Sequence, residues 1–143
     1  MKSLVIIPAR GGSRGLPNKN IKELNGKPLI HYTIEAARNV FDDSSIYVST
    51  DSKKIKKIAE ATGLKIPFLR PKNLAKDTSN IRDVILHAIE FYKLKNNEYP
   101  NFIVLLQPTS PLRNSNHIIE AIDLYNDKLD MVSSVNETNA NPY

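Results

Sequence analysis

VIIPARGGSRGLPNKN, residues Val5 to Asn20, is the stretch that decides the fold. A short apolar run ends in a loop that holds glycine at positions 11, 12 and 15, basic residues at 10, 14 and 19, and no acid. Glycines let a backbone turn sharply and approach a ligand, and fixed positive charges beside backbone amides favour phosphate. A buried strand that feeds such a loop is typical of α/β proteins, which bind ligands at the carboxyl ends of parallel strands. We therefore expect a nucleotide site on this loop.

Two familiar phosphate motifs do not match this loop. A P-loop requires G-x-x-x-x-G-K-[ST], but Ile21 stands in place of the first glycine and Pro28 in place of the hydroxyl residue. A dinucleotide fingerprint opens a helix directly, whereas Pro17 argues against an immediate helix here. The loop is therefore of a different kind.

Composition excludes several classes of protein. The chain has 143 residues, 41% hydrophobic and 24% charged, which is typical of one soluble globular domain. It has no cysteine, so disulfides, thiolate chemistry and cysteine zinc sites are excluded. No apolar run has the length of a membrane span, and no signal-peptide core follows Met1, so we expect a cytoplasmic protein without membrane contact.

The positive charge is concentrated near the glycine-rich loop. The net charge is +5, and the segment from Arg10 to Lys27 holds five basic residues but a single acid, Glu23. Such a local excess favours an anionic small molecule. Nucleic acid is disfavoured as a partner, because the sequence shows no basic face interleaved with aromatic residues and no nucleic-acid-binding module.

Apolar periodicity predicts strands that alternate with helices. This order is typical of an α/β, Rossmann-like three-layer fold with a mostly parallel sheet and the nucleotide-binding loop after its first strand. The predicted strands are Leu4–Ile7, a brief extended piece at Ile21–Leu24, Ile46–Ser49, Ile66–Leu69, Phe102–Leu106 and Met131–Val135. The predicted helices run from Pro28 to Arg38, from a Thr50-Asp51 cap to Ala61, from Asn80 to Lys95, and from a Ser115 cap to Tyr125.

Four polar segments follow predicted strands and are expected to converge at one edge of the sheet. They are the glycine-rich loop, Ser49-Thr50-Asp51, Arg70-Pro71 and Gln107–Arg113. Arg10 and Lys19 are the candidate phosphate contacts. Ser13 adds a hydroxyl, Asn20 carries a donor and an acceptor suited to a base or ribose, and Gln107 is favoured as a substrate contact.

Two aspartates leave alternatives open. Asp51 follows a strand and is suited either to magnesium or to a helix cap, of which the cap is favoured. Asp77 has the same ambiguity, because it precedes the longest predicted helix. The histidines His31, His87 and His117 all fall in predicted helices, so we expect packing or surface roles for them.

Four motifs together resemble those of one family. IIPARGGSRGLPNKN, IYVSTDS, LRPKNLAKDTS and LLQPTSPLR occur in this order and cover the chain from Leu4 to about Val135. The sequence is therefore similar to the acylneuraminate cytidylyltransferases, or CMP-sialic acid synthetases. The relatives that activate legionaminic and pseudaminic acids look equally similar.

The resemblance implies a CTP-dependent reaction. The anomeric hydroxyl of a nine-carbon 2-keto sugar acid attacks the α-phosphate of CTP, which gives a CMP-sugar and pyrophosphate. The implied roles are triphosphate binding by Arg10 and the amides of Gly11, Gly12 and Ser13, neutralisation of the departing pyrophosphate by Lys19, nucleotide contact by Asn20, Arg70 and Ser79, and sugar-acid contact by Gln107. Arg10 and Lys19 are the implied catalytic residues.

The resemblance also implies features that this sequence does not supply. Family members usually have a serine where this chain has Ile81, so the cytosine contact would pass to Ser79, Asn80 or backbone groups. The implied cofactor is Mg²⁺, whose carboxylate ligands would lie beyond Tyr143, so no metal ligand is assigned. We expect residues 1–143 to form one CTP-binding domain of a longer enzyme that is a homodimer in the family. The alternatives are a non-catalytic nucleotide-binding module and a related sugar nucleotidyltransferase with another substrate.

Overall fold

The computed structural model describes residues 2–135 and 137 and shows strands that alternate with helices. In chain order the elements are β1 (Ser3–Pro8), β2 (Glu23–Leu24), β3 (Lys27–Pro28), α1 (Leu29–Arg38), β4 (Ile46–Ser49), α2 (Lys53–Glu60), α3 (Ile81–Asn96), β5 (Phe102–Leu105) and α4 (Ser115–Leu124). Short 3-10 turns lie at Lys19–Ile21, Asp43–Ser45 and Lys72–Leu74.

Strand β1 lies at the centre of a parallel sheet in the order β4-β1-β5. Val5 is in register with Ile46 on one side and with Val104 on the other. Side chains Leu4 to Ile7 of β1 are fully buried, as expected for a strand covered on both faces. The predicted buried first strand and the parallel sheet are therefore confirmed.

Helices cover both faces of the sheet, so the predicted three-layer α/β fold is confirmed. On one face, Val5 and Ile7 share a core with buried residues of α1, α2 and α4. On the other face, Leu4, Ile6 and Tyr47 pack against Ala88 and Tyr92 of α3. Burial of each large apolar side chain stabilises the fold by about 1.5–3 kcal/mol.

Two predicted strands are wrong. The segment Ile66–Leu69 is not a strand, because Pro67 lacks the N–H that a ladder requires. The following residue, Arg70, donates its backbone N–H to the Thr50 carbonyl at 2.7 Å, just beyond β4.

The segment 131–135 is the other predicted strand that does not form. Its Met131 and Val135 side chains are 77% and 92% exposed. A strand is stable only when a neighbour completes its hydrogen bonds, and this segment pairs with none of the strands among residues 2–135.

Helix starts also differ from the sequence-based expectation. The N-cap of α2 is Ser52, whose Oγ accepts from the Ile55 N–H at 3.3 Å, so the predicted Thr50-Asp51 cap is wrong. The N-cap of α4 is Asn114, one residue before the predicted Ser115. Asn114 and His117 form a reciprocal capping box.

The short β2–β3 hairpin positions the start of α1. Asn25 and Gly26 form its turn with φ of 53° and 76°, as the Asn-Gly pair predicts. Pro28 pairs with Glu23 in this hairpin instead of forming the first helical turn, and α1 begins at Leu29. In the part of the chain that the structure describes, no helix is long and apolar enough to cross a bilayer.

Candidate nucleotide-binding site

A cavity of about 170 Å³ lies at the carboxyl ends of β1 and β5. Its lining brings together six of the predicted site residues, which are Arg10, Ser13, Lys19, Asn20, Arg70 and Gln107. Pro8, Ile81 and Thr109 complete the lining. The glycine-rich loop, the Arg70 segment and the Gln107 segment therefore converge as expected, although they are far apart in sequence.

Among the residues that the structure describes, three cations and no carboxylate line this cavity. Arg10, Lys19 and Arg70 contribute the positive charge. The ammonium of Lys19 makes no ion pair among the described residues, so it is available to a ligand. Cations that face a shared cavity repel one another, and a bound anion relieves that repulsion. The arrangement is suited to phosphate groups.

The glycine-rich loop contains a left-handed turn at Gly15 and a close contact with α2 at Gly11. Gly15 has φ of 84°, a left-handed conformation that favours glycine. A Cβ at Gly11 would lie 3.0 Å from the Ser52 Cβ, so the loop packs directly against the start of α2. A Cβ at Gly12 would meet no atom within 4 Å, so the absence of a side chain there leaves open space beside the loop.

We expect Gly15→Ala to destabilise the fold and Gly12→Ala to leave its stability unchanged. Gly15→Ala should lower the free energy of unfolding by about 1 kcal/mol, because alanine is strained at positive φ. Gly12→Ala should leave unfolding unchanged, because its Cβ meets no atom within 4 Å. Urea denaturation of both variants measures this difference. Equal destabilisation by the two substitutions would contradict the described loop conformation.

Asn20 fixes the backbone that presents Arg10. Asn20 is 5% exposed, and its Nδ2 donates to the Arg10 carbonyl at 3.3 Å. The neighbouring Ala9 N–H donates to the Ser49 carbonyl at 2.9 Å, which extends the β1–β4 pairing up to the loop. Sequence reasoning assigned Asn20 to a base or ribose. The structure shows that its amide nitrogen holds the loop, while its side chain still reaches the cavity lining.

Arg70 is a buried cation held by the end of β4. It is 5% exposed, and its Nε and Nη2 donate to the Ser49 Oγ and carbonyl at 3.0 and 2.6 Å. Burial lowers the pKa of Arg70, Asp51 opposes that shift, and the positive charge of Arg10 adds to it. Arg70 therefore carries a positive charge to the cavity wall on a rigid support.

Asp77 pairs with two arginines of the glycine-rich loop. Its two carboxylate oxygens accept from the Arg10 Nη1 and the Arg14 Nε, each at 2.6 Å. The hydrogen bonds from Arg14 and Arg10 hold the pKa of this carboxyl below its usual range. Sequence reasoning considered Asp77 only as a cap or a metal ligand, because the distance of 67 residues from Arg10 concealed the contact.

Asp51 binds the loop rather than capping a helix. Its Oδ1 accepts from the Gly11 N–H at 2.8 Å. The resemblance assigned this amide to the triphosphate, whereas in the structure it is bonded to a carboxylate. The Ser49-Thr50-Asp51 segment thus holds the Gly11 amide and the Arg70 guanidinium in place, and it does not itself line the cavity.

Ser79, Gly11 and Gly12 do not line the cavity. The Ser79 Oγ accepts from the Lys76 N–H at 2.9 Å and donates to the Asn73 carbonyl at 3.2 Å, which closes its own loop. Ile81 faces the cavity instead.

Thr109 is a lining residue that sequence reasoning did not select. It lies two residues after Gln107 in the QPTSPLR motif. This proximity to a candidate substrate contact is the feature of the sequence that could have indicated it. The Gln107 carbonyl accepts from the Arg113 Nη2 at 2.9 Å, which folds this loop back on itself.

The described residues do not fit a metal. Within residues 2–135 and 137, no group of three histidine, cysteine, aspartate or glutamate side chains is placed to hold an ion. Asp51 and Asp77, the candidates from the sequence, are bonded to a backbone amide and to two arginines. We therefore derive no catalytic step through Mg²⁺.

The histidines lie outside the cavity lining. The rings of His87 and Phe68 pack edge to face with centroids 5.0 Å apart. The His31 Nε2 lies 2.7 Å from the Ile58 carbonyl, and His117 takes part in the α4 capping box. Structural roles are thus confirmed for all three.

A larger cavity of about 590 Å³ lies at the opposite end of β4. Its charged lining is mixed, with Asp43 and Glu60 beside Lys65 and Lys95. Asp43 is paired with Arg38, and Glu60 accepts from a backbone amide. This cavity lacks the uniform positive charge of the site at the carboxyl ends.

Comparisons with known proteins show the family to which the chain belongs. The family model described as Cytidylyltransferase matches residues 4–141. The N-acylneuraminate cytidylyltransferase of Escherichia coli O18:K1:H7 is 46% identical over 140 residues, which are 96% of this chain and 32% of that protein. The pseudaminic acid cytidylyltransferase of Campylobacter jejuni serotype O:23/36 is 42% identical over 127 residues, which are 87% of this chain and 53% of that protein.

A solved structure shows the same fold. A CMP:2-keto-3-deoxy-manno-octonic acid synthetase complexed with CTP matches with a TM-score of 0.68 and 23% identity, over 86% of this chain and 46% of that one. The chain spans about a third to a half of the length of the curated relatives described above. The family match covers nearly all of its residues, and the chain belongs to the cytidylyltransferase family.

Proposed function

We propose that the cavity at the carboxyl ends of β1 and β5 binds the triphosphate of CTP. In this proposal the chain is the CTP-binding part of an enzyme that activates a nonulosonic, sialic-type acid to its CMP-sugar. The observation that carries the proposal is a lining beside a glycine-rich loop, in which the described residues place three cations and no carboxylate. The names of the relatives, which act on N-acylneuraminate and pseudaminic acid, support this substrate class.

The proposed reaction requires charge stabilisation more than covalent chemistry by the protein. A sugar hydroxyl oxygen forms a bond to the α-phosphorus of CTP and gives its proton to solvent, the bond from that phosphorus to the bridging oxygen breaks, and pyrophosphate leaves with the electron pair. Arg10 and Lys19 are the proposed groups that stabilise the growing negative charge. Both line the cavity, and Lys19 makes no ion pair among the described residues.

The remaining lining residues suggest where the two substrates meet. The cavity of about 170 Å³ is smaller than the ~300–1,000 Å³ typical of a pocket for a whole small molecule. It has room for phosphate groups, while the rest of the nucleotide extends over its rim. Gln107 and Thr109 follow β5 on the same lining, and we assign them to the sugar acid. Alignment of two bound substrates lowers a barrier by about 7–11 kcal/mol.

A second candidate function is nucleotide binding without turnover. The absence of a metal-ligand cluster among residues 2–135 and 137 favours it, because Mg²⁺ commonly neutralises charge in nucleotidyl transfer. Under this alternative the chain binds CTP but forms no CMP-sugar. The synthetase proposal, in contrast, includes Mg²⁺ as its cofactor, with no ligand assigned to the described residues.

Calorimetry and a pyrophosphate assay distinguish these candidates. The first measurement compares CTP, UTP, ATP, GTP and inorganic tripolyphosphate as ligands of the chain. We expect CTP to bind more tightly than the other nucleotides, and tripolyphosphate to compete with it. The second measures pyrophosphate release from CTP and Mg²⁺ with sialic, legionaminic and pseudaminic acids. Release with one acid supports the synthetase, CTP binding without release supports the binding module, and no binding of any of these ligands contradicts both.

A further inference from the structure

Two carboxylates are bonded to donors of the glycine-rich loop. Asp77 bridges the Arg10 and Arg14 guanidinium groups at 2.6 Å each, and Asp51 accepts from the Gly11 N–H at 2.8 Å. Each acid comes from a different loop of the molecule. Both guanidinium groups and backbone amides are general phosphate donors. Carboxylates therefore stand where phosphate oxygens would be bound.

We propose that Asp77 is an internal competitor that polyphosphate must displace from Arg10 and Arg14. This inference rests on the proposed function, because it concerns the same cations. The two oxygens of one carboxylate reach both arginines, so a single negative charge satisfies a pair of positive ones. A ligand that brings two or more charges to this pair replaces the carboxylate with a larger electrostatic gain.

The exchange is local because Asp77 is already near water. Its side chain is 38% exposed, so a released carboxylate is readily solvated. Arg14 is more exposed still, and its long side chain is free to follow a ligand. Asp77 lies on a loop that Ser79 closes through its bonds with Lys76 and Asn73. Asp77 therefore leaves the arginines by a side-chain rotation while its loop stays closed.

The competitor sets the affinity that a ligand needs before its binding becomes measurable. A ligand with one negative charge replaces the single charge of the Asp77 carboxylate, so the electrostatic energy of the arginine pair changes little. Triphosphate and pyrophosphate bring several charges and overcome the competition. Displacing Asp77 costs every anion at this pair the same free energy, so the competitor lowers all their affinities by one factor and leaves measurable binding only to strongly charged ligands.

The test compares Asp77→Asn with Asp83→Asn in the full chain. Both substitutions remove one negative charge, but Asp83 lies in the first turn of α3 and makes no ion pair within the described residues. Inorganic tripolyphosphate is the probe, titrated by calorimetry at low salt. We expect Asp77→Asn to bind tripolyphosphate about three- to tenfold more tightly than the wild type, and Asp83→Asn to bind it within about twofold of the wild type.

The outcomes separate this inference from the proposed function. If the wild type binds tripolyphosphate and Asp77→Asn binds it equally or more weakly, Asp77 is no competitor, while the proposed site stands. If neither protein binds tripolyphosphate or CTP, the proposed site and the competitor both fail. A gain in Asp83→Asn that equals or exceeds the gain in Asp77→Asn also contradicts the competitor, since a general charge effect then explains both.

A measurement on the unsubstituted chain gives a second readout. The Arg14 Nε–H donates to Asp77 Oδ2, so its NMR signal reports directly on the ion pair. Tripolyphosphate should shift this signal with the same saturation curve that calorimetry gives. A signal that stays unchanged at saturating tripolyphosphate would show that the pair remains intact and would overturn the proposal.

Discussion

Arg10→Ala is expected to weaken CTP binding about 10- to 100-fold with little change in folding. Hydrogen bonds to charged groups contribute about 1.5–3 kcal/mol, which corresponds to this range. Arg10 lines the cavity on a loop that Asn20 fixes, so its backbone is positioned before the ligand arrives. Its ion pair with Asp77 is partly exposed and contributes little to stability. Calorimetry with CTP, together with urea denaturation, measures both quantities.

Arg82→Ala is the matched control for Arg10→Ala. Arg82 carries the same charge but lies in the exposed first turn of α3 and outside the cavity lining. It should retain CTP affinity within about twofold, because an exposed charge outside the site is largely screened. If both substitutions weaken binding equally, the attraction is a general effect of net charge and Arg10 has no specific role.

Arg70→Met is expected to cause the largest loss of stability, about 2–4 kcal/mol. The substitution removes the buried hydrogen bonds to the Ser49 Oγ and carbonyl. The carbonyl keeps its bond from the Ala9 N–H, whereas the Oγ loses the donor that Arg70 supplies. An unsatisfied buried polar group costs about 1–3 kcal/mol, and the loss of a buried charged network adds to this. Methionine keeps most of the apolar stem, so the change isolates the guanidinium. Urea denaturation measures the free energy of unfolding.

Arg38→Met provides a control, because the Arg38 guanidinium makes similar hydrogen bonds but is more exposed to solvent than that of Arg70. Arg38 donates to both Asp43 oxygens and to the Thr62 carbonyl, yet its side chain is 35% exposed. Its loss should cost about 1 kcal/mol or less, because exposed pairs contribute little. A larger loss for Arg38→Met than for Arg70→Met would contradict the view that burial determines the cost.

The central sheet and the helices were predictable because their patterns are local. β1 is apolar at four successive positions, Leu4 to Ile7, and all four are buried on a strand with neighbours on both sides. The Asn25-Gly26 turn follows from the tolerance of these residues for positive φ. Strands that depend on a partner were harder to predict. Pro67 breaks one ladder, and residues 131–135 have no strand to pair with in the described part of the chain.

The candidate site was predictable as a set of segments but not as a set of contacts. Strand ends locate Arg10 and Gln107 at one edge of the sheet, because parallel strands place their carboxyl ends together. Arg70 reaches the same cavity through its hydrogen bonds to Ser49 at the end of β4, although the segment before it is not a strand. The pairing of Asp77 with Arg10 joins residues that are 67 positions apart, and no periodic pattern indicates it. The sequence favours a helix cap for Asp51, because its contact with Gly11, 40 positions away, also leaves no pattern in the sequence. Its contact with Gly11 depends on how two loops meet in space.

A crystal structure of the chain with CTP tests the central claim most directly. The account predicts triphosphate oxygens within hydrogen-bond distance of Arg10 and Lys19, beside the loop from Gly11 to Gly15, with the Asp77 carboxylate released from Arg10. The larger cavity between Asp43 and Lys95 should remain empty. Triphosphate bound in that larger cavity, or CTP placed with no phosphate near Arg10 and Lys19, would contradict the account.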